Sequence, residues 1–171
     1  PWVVRFEDID KPRVLAGARE GQLADMATLG LRPDVVLDQS AFHSRHWEVF
    51  SAAVAAGRVY PCDCSRKDVQ TALAALASAP HDEAASVYSG RCRALDPSRP
   101  LRASSVAWRF RMTDESGRED FIAARSGPVK APESFTPAYH WGCANDDHDG
   151  DYDLLVRSWE LASAATLQRE I

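Results

Sequence analysis

Three of the four cysteines in the 171-residue chain fall between Tyr60 and Arg93. They stand in Tyr60-Pro61-Cys62-Asp63-Cys64-Ser65 and, after a variable middle, in Tyr88-Ser89-Gly90-Arg91-Cys92-Arg93. No other stretch restricts the fold as much, because thiols that meet on one ion must be brought together whatever the rest of the chain does. A Cys-x-Cys pair can place two thiolates on one cation, and a third cysteine returning after a Gly turn suits tetrahedral zinc, each sulfur about 2.3 Å from the metal. A fourth ligand is then required. Tyr88, a water, or His81 in the intervening segment are the candidates. Free cysteines can also pack as small hydrophobes, but Cys62 and Cys64 stand among Asp63, Ser65, Arg66 and Lys67, and Arg91 and Arg93 flank Cys92. A disulfide would leave Cys143 over and needs an oxidising compartment, of which the sequence carries no sign.

The length suits one domain, or one domain carrying an insertion, and can bury a sizeable core. With 45% apolar and 26% charged residues the composition is that of a globular protein. No apolar run reaches membrane-spanning length and no signal-peptide pattern opens the chain, so no membrane association and a cytoplasmic location are expected. A net charge of −5 excludes a surface built wholly for nucleic acid. A local basic face remains open, because the middle of the chain gathers Arg91, Arg93, Arg99, Arg102, Arg109, Arg111, Arg118 and Arg125.

Trp2 to Phe6 reads as a strand, and Glu7, Asp8 and Asp10 follow just beyond its end, where open α/β sheets bind their ligands. Solvated loop carboxylates are the simpler explanation. Val14 to Leu29 predicts a helix stopped at Gly30. Val35 to Leu37 reads as a short buried strand, and Ser40 as the cap of a second helix whose Phe42, Val49, Phe50, Ala53 and Val54 share one face up to Gly57. His46 and Trp47 receive no chemical role. Strand, helix, strand, helix implies parallel pairing.

Ser65-x-x-Asp68 is a capping-box-like start to an Ala-rich helix through Ala79. Val106, Trp108, Phe110 and Met112 alternate with Ala107, Arg109 and Arg111, predicting a half-buried strand with an arginine-bearing outer face. Asp120 to Ala124 is its expected partner. The last third reads as an acidic loop, a strand at Leu154 to Val156, and a helix from about Glu160. Asn145-x-Asp147-x-Asp149-Gly150 matches the first half of a calcium loop, but the twelfth position is Val156 where a bidentate Glu is needed, which disfavours calcium.

Arg5-Phe6-Glu7-Asp8-Ile9-Asp10-x-x-Arg13, Gln39-Ser40, Tyr60-Pro61-Cys62-x-Cys64-Ser65-Arg66, Tyr88-x-Gly90-x-Cys92-Arg93, Ala138-Tyr139, Asp146-Asp147 and Arg157 occur in one order. That order resembles the class I glutamyl-tRNA synthetase catalytic core. The nearest likeness is to its short paralogues, the glutamyl-Q tRNA(Asp) synthetases, which attach glutamate to the queuosine base of tRNA(Asp). Ile9 in the third place of Glu-Asp-Ile-Asp, and the lack of a His shortly after Cys92, favour the paralogues over the ordinary enzyme.

The resemblance implies a partial Rossmann-like parallel sheet in residues 1–60, a zinc-bearing acceptor-binding insertion with short antiparallel strands in 61–137, and a return to the first domain in 138–171. It implies one structural zinc on Cys62, Cys64, Tyr88 and Cys92. Glu7 would take the α-ammonium of glutamate, Arg157 a carboxylate, and Tyr139 would line the same pocket. A surface ion pair between Arg157 and the acidic stretch is the competing account of that arginine. ATP with Mg²⁺ and a tRNA, tRNA(Asp) in the paralogues, are the implied partners, and Arg91, Arg93, Arg109 and Arg111 are candidates for the RNA backbone.

The family's His-x-Gly-His and Lys-Met-Ser-Lys motifs have no counterpart, and the only lysines are Lys11, Lys67 and Lys130. No residue is therefore assigned a catalytic role. The expectation is a core lacking its first strand and helix and cut short at both ends, binding glutamate weakly and not activating it. A fragment of an ordinary glutamyl-tRNA synthetase, or a non-catalytic zinc-bearing tRNA-binding module, are the alternative readings.

Overall fold

Two helices that each end on a left-handed glycine build the first part of the chain. In the computed structural model, residues 1–65, 67–69, 88, 90–102, 106–112, 120–126, 131–169 and 171 are described. Strand β1 (Val3–Phe6) leads to helix α1 (Ala18–Thr28), and strand β2 (Val35–Asp38) leads through a short 3₁₀ turn at Gln39–Phe42 to helix α2 (His43–Ala55). Gly30 and Gly57 adopt φ of +76° and +70°. At each, two backbone bonds close the helix end: Leu31 and Gly30 donate to Met26 and Ala27, and Arg58 and Gly57 donate to Ala53 and Val54. This double closure satisfies carbonyls a helix otherwise leaves open, and only glycine adopts the required φ without strain.

β1 and β2 pair in parallel, with Val3 opposite Val35 and Phe6 opposite Asp38. The expected α/β chain with a parallel sheet is present. β3 (Val59–Cys62), β4 (Val106–Phe110) and β5 (Ile122–Ser126) form a second, antiparallel sheet in that order. The strand expected at Asp120 to Ala124 thus starts two residues later, and a register shift lies at Trp108/Arg109. Ala123 is the residue passed over, and beyond the strand ends the buried Asp120 carboxylate accepts from the Met112 amide at 2.9 Å.

The core lies where this sheet meets α2 and helix α3 (Tyr139–Gly150). Phe50, Val59, Phe110, Met112, Phe121, Phe135 and Trp141 are buried there, with Phe50 and Phe135 centroids 4.8 Å apart. The helical spacing of Trp47, Phe50 and Val54 turns one face of α2 onto it.

Three expectations are corrected. The acidic stretch is helix, not loop, up to Gly150, and Asp151 leaves it at φ 46°. Its Asn145 donates back to the Trp141 carbonyl at 2.7 Å and Asp146 is buried against partners on other elements, so residues that usually favour turns are satisfied inside a helix. A calcium-loop register does not exist there. Leu154 to Val156 form no strand and are exposed, at 79%, 47% and 87%. A short 3₁₀ turn at Trp159–Leu161 and helix α4 (Ala162–Gln168) follow near the expected position. Ser40 does not cap α2: its amide and hydroxyl both donate to Asp8, and Phe42 precedes the helix without a side-chain cap.

The Ser65–Asp68 capping box forms, Ser65 and Asp68 exchanging bonds of 2.7 and 3.1 Å. Most of the Ala-rich helix expected after it, and His81, lie outside the described residues.

Candidate functional site

The cysteine cluster is assembled by β3 and the turn at Gly90. Cys62 ends β3, Cys64 follows it, and Cys92 comes after Gly90, whose φ of +70° turns the chain back. Their sulfurs all lie within 4.8 Å of one another, and Cys64 and Cys92 are 3.5 Å apart. Tetrahedral zinc with sulfur ligands needs edges of about 3.8 Å, so the three thiols fit one ion. The Tyr88 hydroxyl stands beside them, 3.3 Å from Cys62 Sγ, and accepts from the Cys92 amide at 2.9 Å.

Burial pushes the Cys62 thiol up, but hydrogen bonds with Tyr88, the Cys64 amide and Arg109 outweigh it and hold the thiol below its ordinary value. Burial, then the bond to Cys92 and the charge of Cys62, push Cys64 up to about 12. The first thiolate resists the second, and a cation at the centre reverses that order. The Tyr88 hydroxyl is raised by burial and by Cys62. The three thiols suit a divalent, thiophilic metal.

The surroundings are charged and buried. Asp63, between the two cysteines, accepts from Arg99 at 3.0 Å and from the Arg102 amide at 2.9 Å, which pins the connector onto the cluster. Arg99 also donates to Cys92 Sγ at 3.5 Å. Asp120 accepts from the Tyr60 hydroxyl at 2.6 Å and from Arg93 at 2.5 Å.

Arg109 corrects the expected outer face. It is 7% exposed, donates to the Asp120 carbonyl at 2.7 Å, and lays its guanidinium over the Tyr88 ring. It stands opposite Tyr60, on the face of the sheet that the Tyr88 ring and the cysteine cluster cover. Arg111 spans the edge of the sheet, donating to the Gly57 and Arg93 carbonyls and covering the Tyr60 ring at 4.6 Å. Arg91 and Arg93 are exposed.

The second cluster joins β1 to α3. Glu7 Oε1 accepts from Cys143 Sγ at 3.1 Å, and Arg5 Nη2 is 3.7 Å from the same carboxylate oxygen. Burial, then the neighbouring Cys143 and Glu7, push the Tyr139 hydroxyl up to about 12, while Arg157 opposes them. Burial and Glu7 likewise push Cys143 to about 12. Glu7, Tyr139 and Arg157 therefore share one electrostatic neighbourhood. Gly142 permits the close seating of α3, since a Cβ there would come 3.1 Å from both Ile9 and Gln39.

Arg157 is engaged differently from a free carboxylate clamp. It donates to Asp147 and to Gln168, and Asp147 is held from the other side by Arg5 Nη1 at 2.7 Å. The ion pair with the acidic stretch is thus formed. No strand leads into Arg157, so Glu7 and Arg157 are not brought together by neighbouring strands; Arg5 and Asp147 bridge them. A cavity of about 870 Å³ between α3 and α4 is lined by Arg157 and Asp147 but not by Glu7 or Tyr139.

Behind this cluster runs a buried network to which the sequence reading assigned no role. His46 Nε2 meets Asp146 Oδ1 at 2.6 Å, and Gln39 Nε2 donates to Asp146 Oδ2 at 2.7 Å. His46 and Gln39 are fully buried. His46 stands one helical turn before the core residue Phe50, where packing alone would account for it, and only the tertiary partner on α3 gives it meaning.

Against known proteins, no protein-family model matches the chain. A glutamyl-Q tRNA(Asp) synthetase of Burkholderia mallei is 40% identical over 182 aligned residues, covering 98% of this chain and 59% of that protein. The chain is homologous to the glutamyl-Q tRNA(Asp) synthetases. One from Neisseria meningitidis is 37% identical over 117 residues, 66% of this chain and 37% of its own length. The chain thus spans between about a third and three fifths of these synthetases. Among solved structures, a glutamate tRNA ligase of Elizabethkingia meningosepticum in complex with its amino acid superposes with a TM-score of 0.71 at 17% identity, over 97% of this chain and 38% of that one. The glutamate-tRNA synthetase of Elizabethkingia anophelis gives 0.72. These two likenesses establish the fold. Among the described residues, no helix is long and apolar enough to cross a membrane.

Proposed function

We propose that the chain is part of a glutamyl-Q tRNA(Asp) synthetase-like ligase, in which glutamate is activated with ATP and Mg²⁺ and passed to a tRNA nucleoside. The observation that supports this reading is the contact of Glu7 with Cys143, beside Tyr139, with Arg157 linked to Glu7 through Asp147 and Arg5, in a homologue of those synthetases. Glu7 accepts hydrogen bonds from the substrate ammonium, because a fixed carboxylate is what a cation requires. Tyr139 lines the pocket between them. Arg157 presents a planar fork to a substrate carboxylate, which must share it with Asp147. Residues 1–60 and 138–171 supply this pocket, and 61–137 form the zinc-bearing, acceptor-binding insertion. The three thiols and the Tyr88 hydroxyl hold the zinc, whose contribution is to fix the insertion's shape. Arg91 and Arg93, with Arg111 at the sheet edge, face the RNA backbone, and the location that accompanies this function is the cytoplasm.

The test is glutamate binding observed by ligand NMR at millimolar concentration on the 171-residue chain. Glutamate should bind in preference to aspartate, and Glu7→Gln or Arg157→Met should weaken it about 10- to 100-fold, the worth of a charge-assisted hydrogen bond. Binding that ignores both substitutions overturns the reading.

A further inference from the structure

Four anionic ligands on one divalent ion leave the cluster with an excess of two negative charges in a buried place. Cys62 and Cys92 are 2% and 1% exposed, and Tyr88 is 5% exposed. Water cannot offset such a charge there, so a buried cation has to.

The Arg109 guanidinium carbon lies 3.7 Å from the centre of the Tyr88 ring. Its charge also lies beside the Cys62 sulfur and helps hold that thiol below its ordinary value. One buried arginine thus meets two of the four groups, and its donation to the Asp120 carbonyl at 2.7 Å fixes the plane of the fork. Arg111, two residues on, is stacked instead on Tyr60 and bonded to backbone carbonyls.

Resting on the zinc reading above, we infer that Arg109 is a positioning residue of the metal centre: it holds the Tyr88 ring so that its oxygen reaches the ion, and sets its charge beside the Cys62 sulfur. A flat cation is suited to both tasks at once, since it stacks on a ring through its face and turns its edge to a neighbouring anion. Partners of this outer kind set ligand orientation and commonly govern metal affinity by 10- to 100-fold. An arginine facing RNA would have no need of a buried site.

The experiment is metal competition on the 171-residue chain, with zinc affinity read against a chromophoric chelator and ligand geometry read from the visible spectrum of the cobalt form. Arg109→Met should weaken zinc about 10- to 100-fold and shift the cobalt bands, whereas Arg111→Met should leave both as in the parent. Tyr88→Phe should weaken zinc as well, and the double variant should lose clearly less than the product of the two single losses, because the arginine acts in part through that ring. Fully multiplicative losses in the double variant, or parental affinity and spectrum in Arg109→Met, overturn the inference while leaving the zinc centre standing. A parent chain that binds neither metal overturns both. Where Arg109→Met does not fold, Arg109→Lys decides: it keeps the charge but loses the plane, so weaker binding with shifted bands supports the assignment and an unchanged affinity and spectrum refute it.

Discussion

Asp8 grips Ser40 with both carboxylate oxygens, one accepting the backbone amide at 2.7 Å and the other the hydroxyl at 2.5 Å. The contact ties the segment after β1 to the turn after β2, and so fixes where Glu7 stands. Ser40→Ala should lower stability by about 1 kcal/mol, and Asp8→Ala by about 1–3 kcal/mol because it leaves a part-buried amide without its acceptor. The two losses should not add, since they break one and the same interaction. Urea unfolding of the single and double variants measures this.

Zinc should be bound at one equivalent per chain, and removing it should expose three thiols to alkylation while Cys143, 0% exposed, stays protected. Structural zinc carries about 10–16 kcal/mol of apparent binding free energy in small peptides, so chelation should loosen the β3–β5 sheet outright. Cys92→Ser should abolish stoichiometric binding. Metal analysis with thiol counting before and after chelation reads both effects.

RNA binding predicts a division among the arginines. Arg91→Ala with Arg93→Ala should weaken tRNA binding and flatten its salt dependence, the slope falling by about one for each phosphate that no longer meets a cation. Arg93 has a second duty at Asp120, so Arg93→Lys, which keeps a cation for that carboxylate, is the companion variant. Filter binding over a salt series gives the slopes, and unaltered slopes would remove RNA from the account.

The Arg45–Asp149 pair, 2.8 Å long, clips α2 to α3. Its hydrogen bond holds Asp149 below the ordinary carboxylate value. A lowered carboxylate contributes stability that is fully present above its unfolded value, about 3.9, and is lost as pH falls through the folded one. The deficit of Arg45→Met relative to the parent should therefore be seen at pH 7 and fade in acid. Because both side chains are partly exposed, it should also shrink in high salt. Thermal unfolding at a series of pH values checks the direction.

Much of this was legible where local chemistry and tertiary structure agree. Gly30 and Gly57 end their helices as a Gly after an apolar-periodic run should, and Trp108, Phe110 and Met112 alternate because one face of β4 lies on the core. The cysteine spacing foretold a cluster because Gly90 permits a tight return. The failures share a cause. Asn145, Asp146 and Asp149 read as a loop because such side chains compete with helical backbone; partners at Trp141, His46, Gln39 and Arg45, far away in sequence except for the first, satisfy them within α3. Arg109 read as solvent-facing because alternation puts it opposite the core, but that face is itself covered by Tyr88 and the cysteine cluster, which lie far off in sequence. For Arg157 the competing account, an ion pair with the acidic stretch, was legible from charge alone, and it forms at Asp147.

No residue of α1 is fully buried, and every residue of β1 is only half so, whereas all of β3 is buried. The free energy of local opening follows such differences, so amide hydrogens of α1 and β1 should exchange with solvent well before those of β3 and β4. Glu7 rides on the fast-exchanging part. Tyr139 does not, because the Ala138 amide before it is tied to the Ala123 carbonyl of β5 at 2.8 Å. A small molecule held between Glu7 and Tyr139 would act as a clasp between a loose half and a firm one, and its occupancy would be written in the slowed exchange of β1.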